Sequence, residues 1–473
     1  MELKSISIPE WIKNVGNIKG VMPEKKVSEF EPLRDHAREA EYAEKLAKMV
    51  RYETVSYPDT DQREKFLGFH KILEELFPLV HRDLEKTEID GNLLFHWKGE
   101  SSDKPMVLMA HQDVVPAEGE WEHEPFSGDI VDGVIWGRGT ADTKCSLMAI
   151  FQAIEELLAD GAVPANDVYI STSCTEEVNG PGCSKLVSEL ERRGVKPYIV
   201  CDEGGAIVEE PIGGIKGYYA MVGVLEKGIG NLCFTAKSNG GHSSYPPKNS
   251  PIARLSKFVT DIEKNSPLKA DFEPEVEAMF TTLAPYGPAY MRLLFGNIEL
   301  NKPLLKRLLP EISPQAAALL RTTIAFTMQS GSDALNVLPQ EAKLYANMRF
   351  IPHQGLAESV AAVKAVADKY DLETEFLGGN DYCEPVDINS DAYKMVESVI
   401  EEVFPKLPVC PYVMTGGTDA KFYQKICDAC IRFSPVVYGK DQMKGMHGIN
   451  EKLDLYSLPG AVDFYKTIIE FNR

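Results

Sequence analysis

The sequence predicts an α/β protein whose mixed sheet is flanked by helices and interrupted by a smaller α+β unit. Three observations lead there. Strand-length apolar runs alternate with helical stretches through the first 200 or so residues; the character of the chain changes near Val222; and 473 residues exceed what one hydrophobic core usually organises.

Taken in order, Asp35–Val55 interleaves charged residues with Ala, Leu and Met in a helical pattern, and Asp61–Phe77 predicts a second helix. Asn92–Trp97 and Pro105–Met109 have strand length, and PMVLM is apolar enough for a buried strand. A helix over Cys145–Ala159, a strand over Asp167–Ser173, a helix over Leu186–Arg193 and a short strand over Tyr198–Cys201 follow. Beyond Val222, Gly230–Lys237 alternates as a half-exposed strand that ends in Ser238-Asn239-Gly240-Gly241, and a helix is expected over Ser250–Ile262. Glu341–Phe350 alternates again, and a helix follows over Leu356–Lys369. The chain therefore divides into residues 1–222 and 356–473 as two parts of a larger domain, with 223–355 inserted between them. The second part resumes with a helix around Tyr393–Val403.

Composition narrows the function classes. Hydrophobic residues at 44% and charged residues at 26% describe a globular chain rather than a disordered one. A formal charge of -21 repels nucleic-acid phosphates and anionic membranes, so neither is expected as a partner; it serves solubility equally well. The start, MELKSISIPE, is not a basic segment followed by an apolar run, as a secretory signal would be, and no apolar stretch reaches the roughly 18–20 residues that span a bilayer. Nine scattered cysteines, an odd number, do not form a disulfide framework, and a cytoplasmic location is expected.

Five polar clusters leave strand ends or loops, where ligands of open α/β sheets collect. His111-Gln112-Asp113 follows PMVLM: either an imidazole ligand whose other ring N–H meets Asp113, or a satisfied loop pair. Gly137-Arg138-Gly139-Thr140-Ala141-Asp142 places Asp142 at a helix entrance, as an N-cap or as a carboxylate bridging two cations. Thr175-Glu176-Glu177 is a solvated acidic pair, or one ligand beside one proton acceptor. Asp202-Glu203-Gly204-Gly205 is an acidic turn or a ligand, and Met446-His447-Gly448-Ile449-Asn450-Glu451 offers a second imidazole or an ordinary loop histidine. Together they form a mixed nitrogen and oxygen set suited to zinc, with cobalt or manganese ranked lower.

The run HQDVVPAEGEWEHEPFSGDIVDGVIWGRGTADTK, His111 to Lys144, resembles the di-zinc aminoacylase and carboxypeptidase family, which includes acetylornithine deacetylase, succinyl-diaminopimelate desuccinylase, glutamate carboxypeptidase and carboxypeptidase S. The resemblance extends from about residue 40 to the C-terminus and is strongest to the carboxypeptidase S and aminoacylase branch. It implies a zinc-exopeptidase-like catalytic domain with an inserted lid that often dimerises, and two zinc ions held by His111, Asp142, Glu177, Glu203 and His447, with Asp142 bridging. Between Asp202 and Glu203 as the ligand, Glu203 is favoured. The same resemblance makes Glu176 the general base, Asp113 the residue that orients His111, and His242 an oxyanion donor, often reaching the partner subunit's site. Asn336 and Arg349 match lid positions that hold a substrate carboxylate, and Gly416-Gly417-Thr418 a substrate-backbone loop. Thr175 and Asn179-Gly180 depart from the family's Asp before the glutamates and two glycines after them. Cys427-x-x-Cys430 has no second pair near it and is read as core or surface, not as a zinc ribbon.

The expected reaction is hydrolysis of a peptide or N-acyl amide bond beside a free carboxylate, by an exopeptidase or by an N-acyl-amino-acid amidohydrolase, with a small peptide or N-acyl amino acid as substrate. An inactive metal-binding relative should have lost a ligand or Glu176, and all are present. A nucleotide enzyme on this scaffold should carry a G-x-x-x-x-G-K-[ST] loop, and none occurs.

Overall fold

The computed structural model describes residues 20–473 apart from Ser28, Asp59 and Asp61; the MELKSISIPE start, and the first residue of the helix expected from Asp61, lie outside the described residues. The main sheet runs Glu85–Ile89, Asn92–Trp97, Asn166–Thr172, Ser101–Met109, Ile199–Asp202, Cys430–Arg432, Tyr218–Glu226, Ala206–Glu209, Val437–Tyr438, with Val409–Met414 paired parallel to Tyr218–Glu226. Asn166–Thr172, Ser101–Met109, Ile199–Asp202 and Cys430–Arg432 are mutually parallel, in registers such as Met106 opposite Val168 and Cys430 opposite Val200. Their carboxyl ends therefore share one edge, and His111, Glu176, Glu177 and Glu203 follow directly from three of them.

Helices cover both faces, which is why NDVYIST is buried at every residue instead of alternating. The helix Lys144–Ala159 is buried around most of its circumference because it lies between the sheet and the helices His36–Arg51 and Ser457–Phe471. Phe151 on this helix meets Phe77 and Phe95 with ring centroids 5.4 and 5.5 Å apart, a contact whose removal costs about 3–5 kcal/mol. That packing fixes the helix N-terminus, and with it the Asp142 loop.

A second, antiparallel sheet runs Thr323–Ser330, Glu341–Phe350, Gly228–Lys237, Glu373–Asn380. One face buries Leu232, Phe234 and Met348 against Leu255 and Phe258 of one helix and Val363 of another. The expected division of the chain shifts accordingly. Val222 sits inside the main-sheet strand Tyr218–Glu226, so the chain crosses after Glu226. It returns after Asn380, not at Leu356, because Glu373–Asn380 is the second hydrogen-bonded partner of Gly228–Lys237. The two crossings touch: a Cβ on Gly228 would come within 2.6 Å of the backbone at Asn380 and Tyr382.

The inserted segment is also not one compact unit. Val276, Met279, Leu283 and Phe295, from helices between Pro274 and Phe295, pack on Tyr219, Met221, Leu225 and Val413 of the main sheet. No helix among the described residues is long and apolar enough to cross a membrane.

Candidate metal centre

Beyond the carboxyl edge of the parallel strands, two groups of ligand-type atoms share one residue. His111, Asp142 and Glu203 form the first, and Asp142, Glu177 and His447 the second, each with its ligand atoms within 4.8 Å of one another. The Nε2 of His111 lies 3.1 Å from Asp142 Oδ1 and 3.1 Å from Glu203 Oε1. The Nε2 of His447 lies 3.0 Å from Asp142 Oδ2 and 3.1 Å from Glu177 Oε2. Each oxygen of Asp142 thus faces a different imidazole. His447 takes a backbone φ of 55°, a left-handed conformation uncommon for residues other than glycine, which aims its ring at the pair from an otherwise exposed loop.

The charges here conflict unless something positive stands among them. Burial pushes the Glu203 carboxyl up to about 8, with Asp142 adding repulsion. Burial also raises Glu176 well above the usual carboxylate range against the pull of His111, with Asp419, Glu203 and Glu177 adding to it. Burial opposes charge on His111, but Glu203, Asp113 and Asp142 outweigh it and hold the imidazole well above its ordinary value. Hydrogen bonds that His447 donates to Asp142 and Glu177 raise its imidazole to about 10. The buried Oε1 of Glu177 has no hydrogen-bond partner. Three carboxylates, one of them with an orphaned oxygen, and two imidazoles suit a pair of divalent cations, which would remove the repulsion and engage the unpaired atom. The residues fit such ions.

Asp113 meets His111 chiefly through its backbone, and its side chain makes further contacts. His111 Nδ1 meets the backbone carbonyl of Asp113 at 2.8 Å, whereas the carboxylate is 3.5 Å away. That carboxylate instead accepts the backbone N–H groups of Glu176 (3.2 Å) and Glu177 (3.1 Å) and the Ser56 hydroxyl (2.7 Å). It therefore orients the glutamate pair more directly than the imidazole. Asp202 and Glu203 also separate by geometry: Asp202 accepts from the Glu203 and Ala420 amides, at 2.9 and 2.8 Å, leaving Glu203 to face His111.

Gly416-Gly417-Thr418 is fastened beside this edge. The Thr418 hydroxyl donates to buried Glu226 at 3.1 Å, Ser173 donates to Asp419, and Lys421 donates to Asn179 in the loop after Glu177. The residues expected in the lid stand apart. His242 lies on the ribbon Gly241–His242 paired with Val337–Leu338, its Nδ1 2.8 Å from Ser244 Oγ, and the carbonyl of Asn336 accepts from the Ser243 amide on the same ribbon. Arg349 is half-buried in Glu341–Phe350, where its Nε donates to Asn347; burial lowers its pKa, with Glu226 the carboxylate working against that. Among the described residues, no hydrogen bond or ion pair joins His242, Asn336 or Arg349 to the imidazole–carboxylate cluster. Cys427 and Cys430 are buried free thiols, hence core.

Sequence reasoning gave no role to Arg138 or Glu451, although both lie in runs it singled out. Both are buried and paired to each other at 2.6 Å across 313 residues. The available signal was the charge itself: an arginine between two glycines, and a glutamate four residues after His447.

Comparison with known proteins places these observations in a family. The sequence profile of Peptidase family M20/M25/M40 matches residues 107–470. The chain is 32% identical over 444 residues to the "Probable carboxypeptidase S-like 2" of Dictyostelium discoideum, covering 91% of this chain and 85% of that protein. It is 35% identical over 437 residues to the "N-fatty-acyl-amino acid synthase/hydrolase PM20D1" of Xenopus tropicalis, covering 90% and 85%. In fold it is similar to the M20 family metallo-carboxypeptidase Sso-CP2 from Sulfolobus solfataricus, with a TM-score of 0.69, 18% identity, and coverage of 93% of this chain and 99% of that one.

Proposed function

The chain belongs to peptidase family M20/M25/M40, and from that premise we propose that it hydrolyses an amide bond whose leaving amine is an amino acid with a free carboxylate. The reading covers C-terminal residues of small peptides and N-acyl amino acids alike, the two chemistries that the names of its relatives carry. The observation that supports it most is Asp142, whose two oxygens face the two histidines.

His111 and Glu203 would hold one cation, Glu177 and His447 the other, and Asp142 both. Zinc suits such a mixture of imidazole and carboxylate, with cobalt and manganese as alternatives. Bound divalent cations supply Lewis acidity and bring the pKa of water toward neutrality. Glu176, held through its amide by Asp113, takes the proton of the attacking water and returns it to the leaving amine. Burial raises the proton affinity of this carboxyl, which favours the uptake step. Arg349 pairs with the substrate carboxylate, since its guanidinium nitrogens beyond Nε make no hydrogen bond within the described chain, and Asn336 and the Gly416–Thr418 loop align the substrate backbone. His242 donates to the oxyanion, within its own chain or across a homodimer. The edge strand Thr323–Ser330, exposed from Thr327 to Ser330, supports a dimer through the small sheet. Nine buried free cysteines agree with a reducing, cytoplasmic setting.

A panel separates the two substrate chemistries. Dipeptides, N-acetyl and N-long-chain-acyl amino acids, each with its carboxyl-amidated counterpart, are offered to zinc-loaded protein. We expect cleavage of one or both acid series and loss of kcat/KM on amidation; equal cleavage of amidated substrates would remove the free carboxylate from the account. The panel also decides between peptidase and acylase.

A further inference from the structure

We propose that Glu451 and Arg138 form a positioning clamp that sets the spacing of the two cation sites by locking the Asp142 loop to the His447 loop. The clamp rests on the reading of those residues as ligands. Glu451 is fully buried, and a single oxygen, Oε1, accepts the amides of Gly139 (3.0 Å), Ala141 (2.8 Å) and Asp142 (3.1 Å). The φ of 91° at Gly139, a left-handed conformation, belongs to the turn that brings these amides to one point. The other oxygen of Glu451 accepts from Arg138 Nη1 at 2.6 Å, and Arg138 Nη2 donates to the Gly448 carbonyl at 2.6 Å, next to His447. The same nitrogen reaches the Pro116 carbonyl at 3.4 Å, on the segment that follows His111. Both loops leave one ribbon, in which Lys452–Asp454 pairs with Val134–Trp136 and the Gly137 amide donates to the Glu451 carbonyl at 2.9 Å.

Stability alone is a weak reason for this arrangement. A buried ion pair is often matched or bettered by apolar residues of similar volume, because desolvation offsets the attraction. What an apolar pair cannot do is collect three amides of one ligand loop and a carbonyl of the other around two charges. Positioning is what the geometry uniquely supplies: Asp142 belongs to both sites and His447 to one, so the two halves of the clamp bear on the sites unequally.

The test is zinc binding by the full chain, stripped with a chelator and titrated against a chromophoric competitor, with thermal unfolding of the cation-free protein measured in parallel. Glu451→Gln keeps an oxygen facing the three amides but loses the charge that holds Arg138; both sites should weaken by about 10–100-fold, the usual effect of removing a partner that supports a ligand. Arg138→Lys keeps a charge for Glu451, but a single ammonium cannot also span to Gly448. It should weaken one site by about tenfold or more and leave the other near the wild-type value. If the wild type binds two ions and both variants bind them equally tightly, with only the unfolding temperature lowered, the pair is merely structural and the proposal is overturned. Should Glu451→Gln fail to fold, Arg138→Lys decides alone. A wild type that binds no zinc overturns the ligand reading itself, a different result.

Discussion

Glu176→Gln should lower kcat by about 10²–10⁴-fold, the range that a positioned general acid–base residue supplies, while the protein still binds two cations. Glutamine keeps the volume of the side chain and the backbone amide that Asp113 accepts, so the loop has no reason to move. What it loses is the capacity to take up a proton and give it back. Glu176 belongs to neither group of ligand-type atoms, which is why cation content should be unchanged. Cation analysis beside steady-state kinetics checks both halves. A variant within tenfold of the wild-type kcat would remove Glu176 from the proton-transfer role, and one that lost a cation would make it a ligand.

Asp142→Ala should abolish turnover by a different route. This residue faces both histidines, at 3.1 and 3.0 Å, so its loss opens both sites at once. Affinity for each ion should fall by more than about 100-fold, the upper end of what a supporting residue costs. Hydrolysis should drop to the level of chelator-treated wild type, and excess zinc should not restore it. His447→Ala makes the informative contrast, because His447 belongs to a single group and its removal should spare the site of His111 and Glu203. If Asp142→Ala weakens only one of two ions, the carboxylate does not bridge.

How far the sequence led can be seen element by element. The runs PMVLM and NDVYIST end in strands as expected because an apolar run of strand length, covered by helices on both faces, has few other conformations. Lys144–Ala159 was legible because its apolar residues go most of the way round. The helices between Pro274 and Leu320 were not, since Pro303 and Pro310 interrupt Ile298–Ile312 and only tertiary packing sustains it. The boundary expected near Val222 falls inside Tyr218–Glu226 because a strand buried at eight of its nine positions carries no alternation to mark it. Cys430–Arg432 is three residues long, and its identity as a strand depends on pairing with Ile199–Asp202, more than 200 residues earlier in the chain.

The site divides in the same way. His111, Asp142, Glu177, Glu203 and His447 were named from the family resemblance and lie in two adjoining groups in the structure. Asp113 does meet His111, but a two-residue spacing says only that the two residues are near, not that the backbone carbonyl makes the shorter contact while the carboxylate turns to the glutamate amides. Arg138 and Glu451 went unassigned for a related reason. A charged residue in a polar loop reads as solvent-facing, and only the folded chain brings the two together in the interior.

The most direct measurement of the two-cation hydrolase is stepwise reconstitution. Chelator-stripped wild-type protein is titrated with zinc while bound metal and hydrolysis of the best substrate from the panel are followed together. The account predicts two ions per chain and full turnover only as the second site fills. Full turnover by metal-free protein, or saturation of activity at one ion per chain, would contradict it.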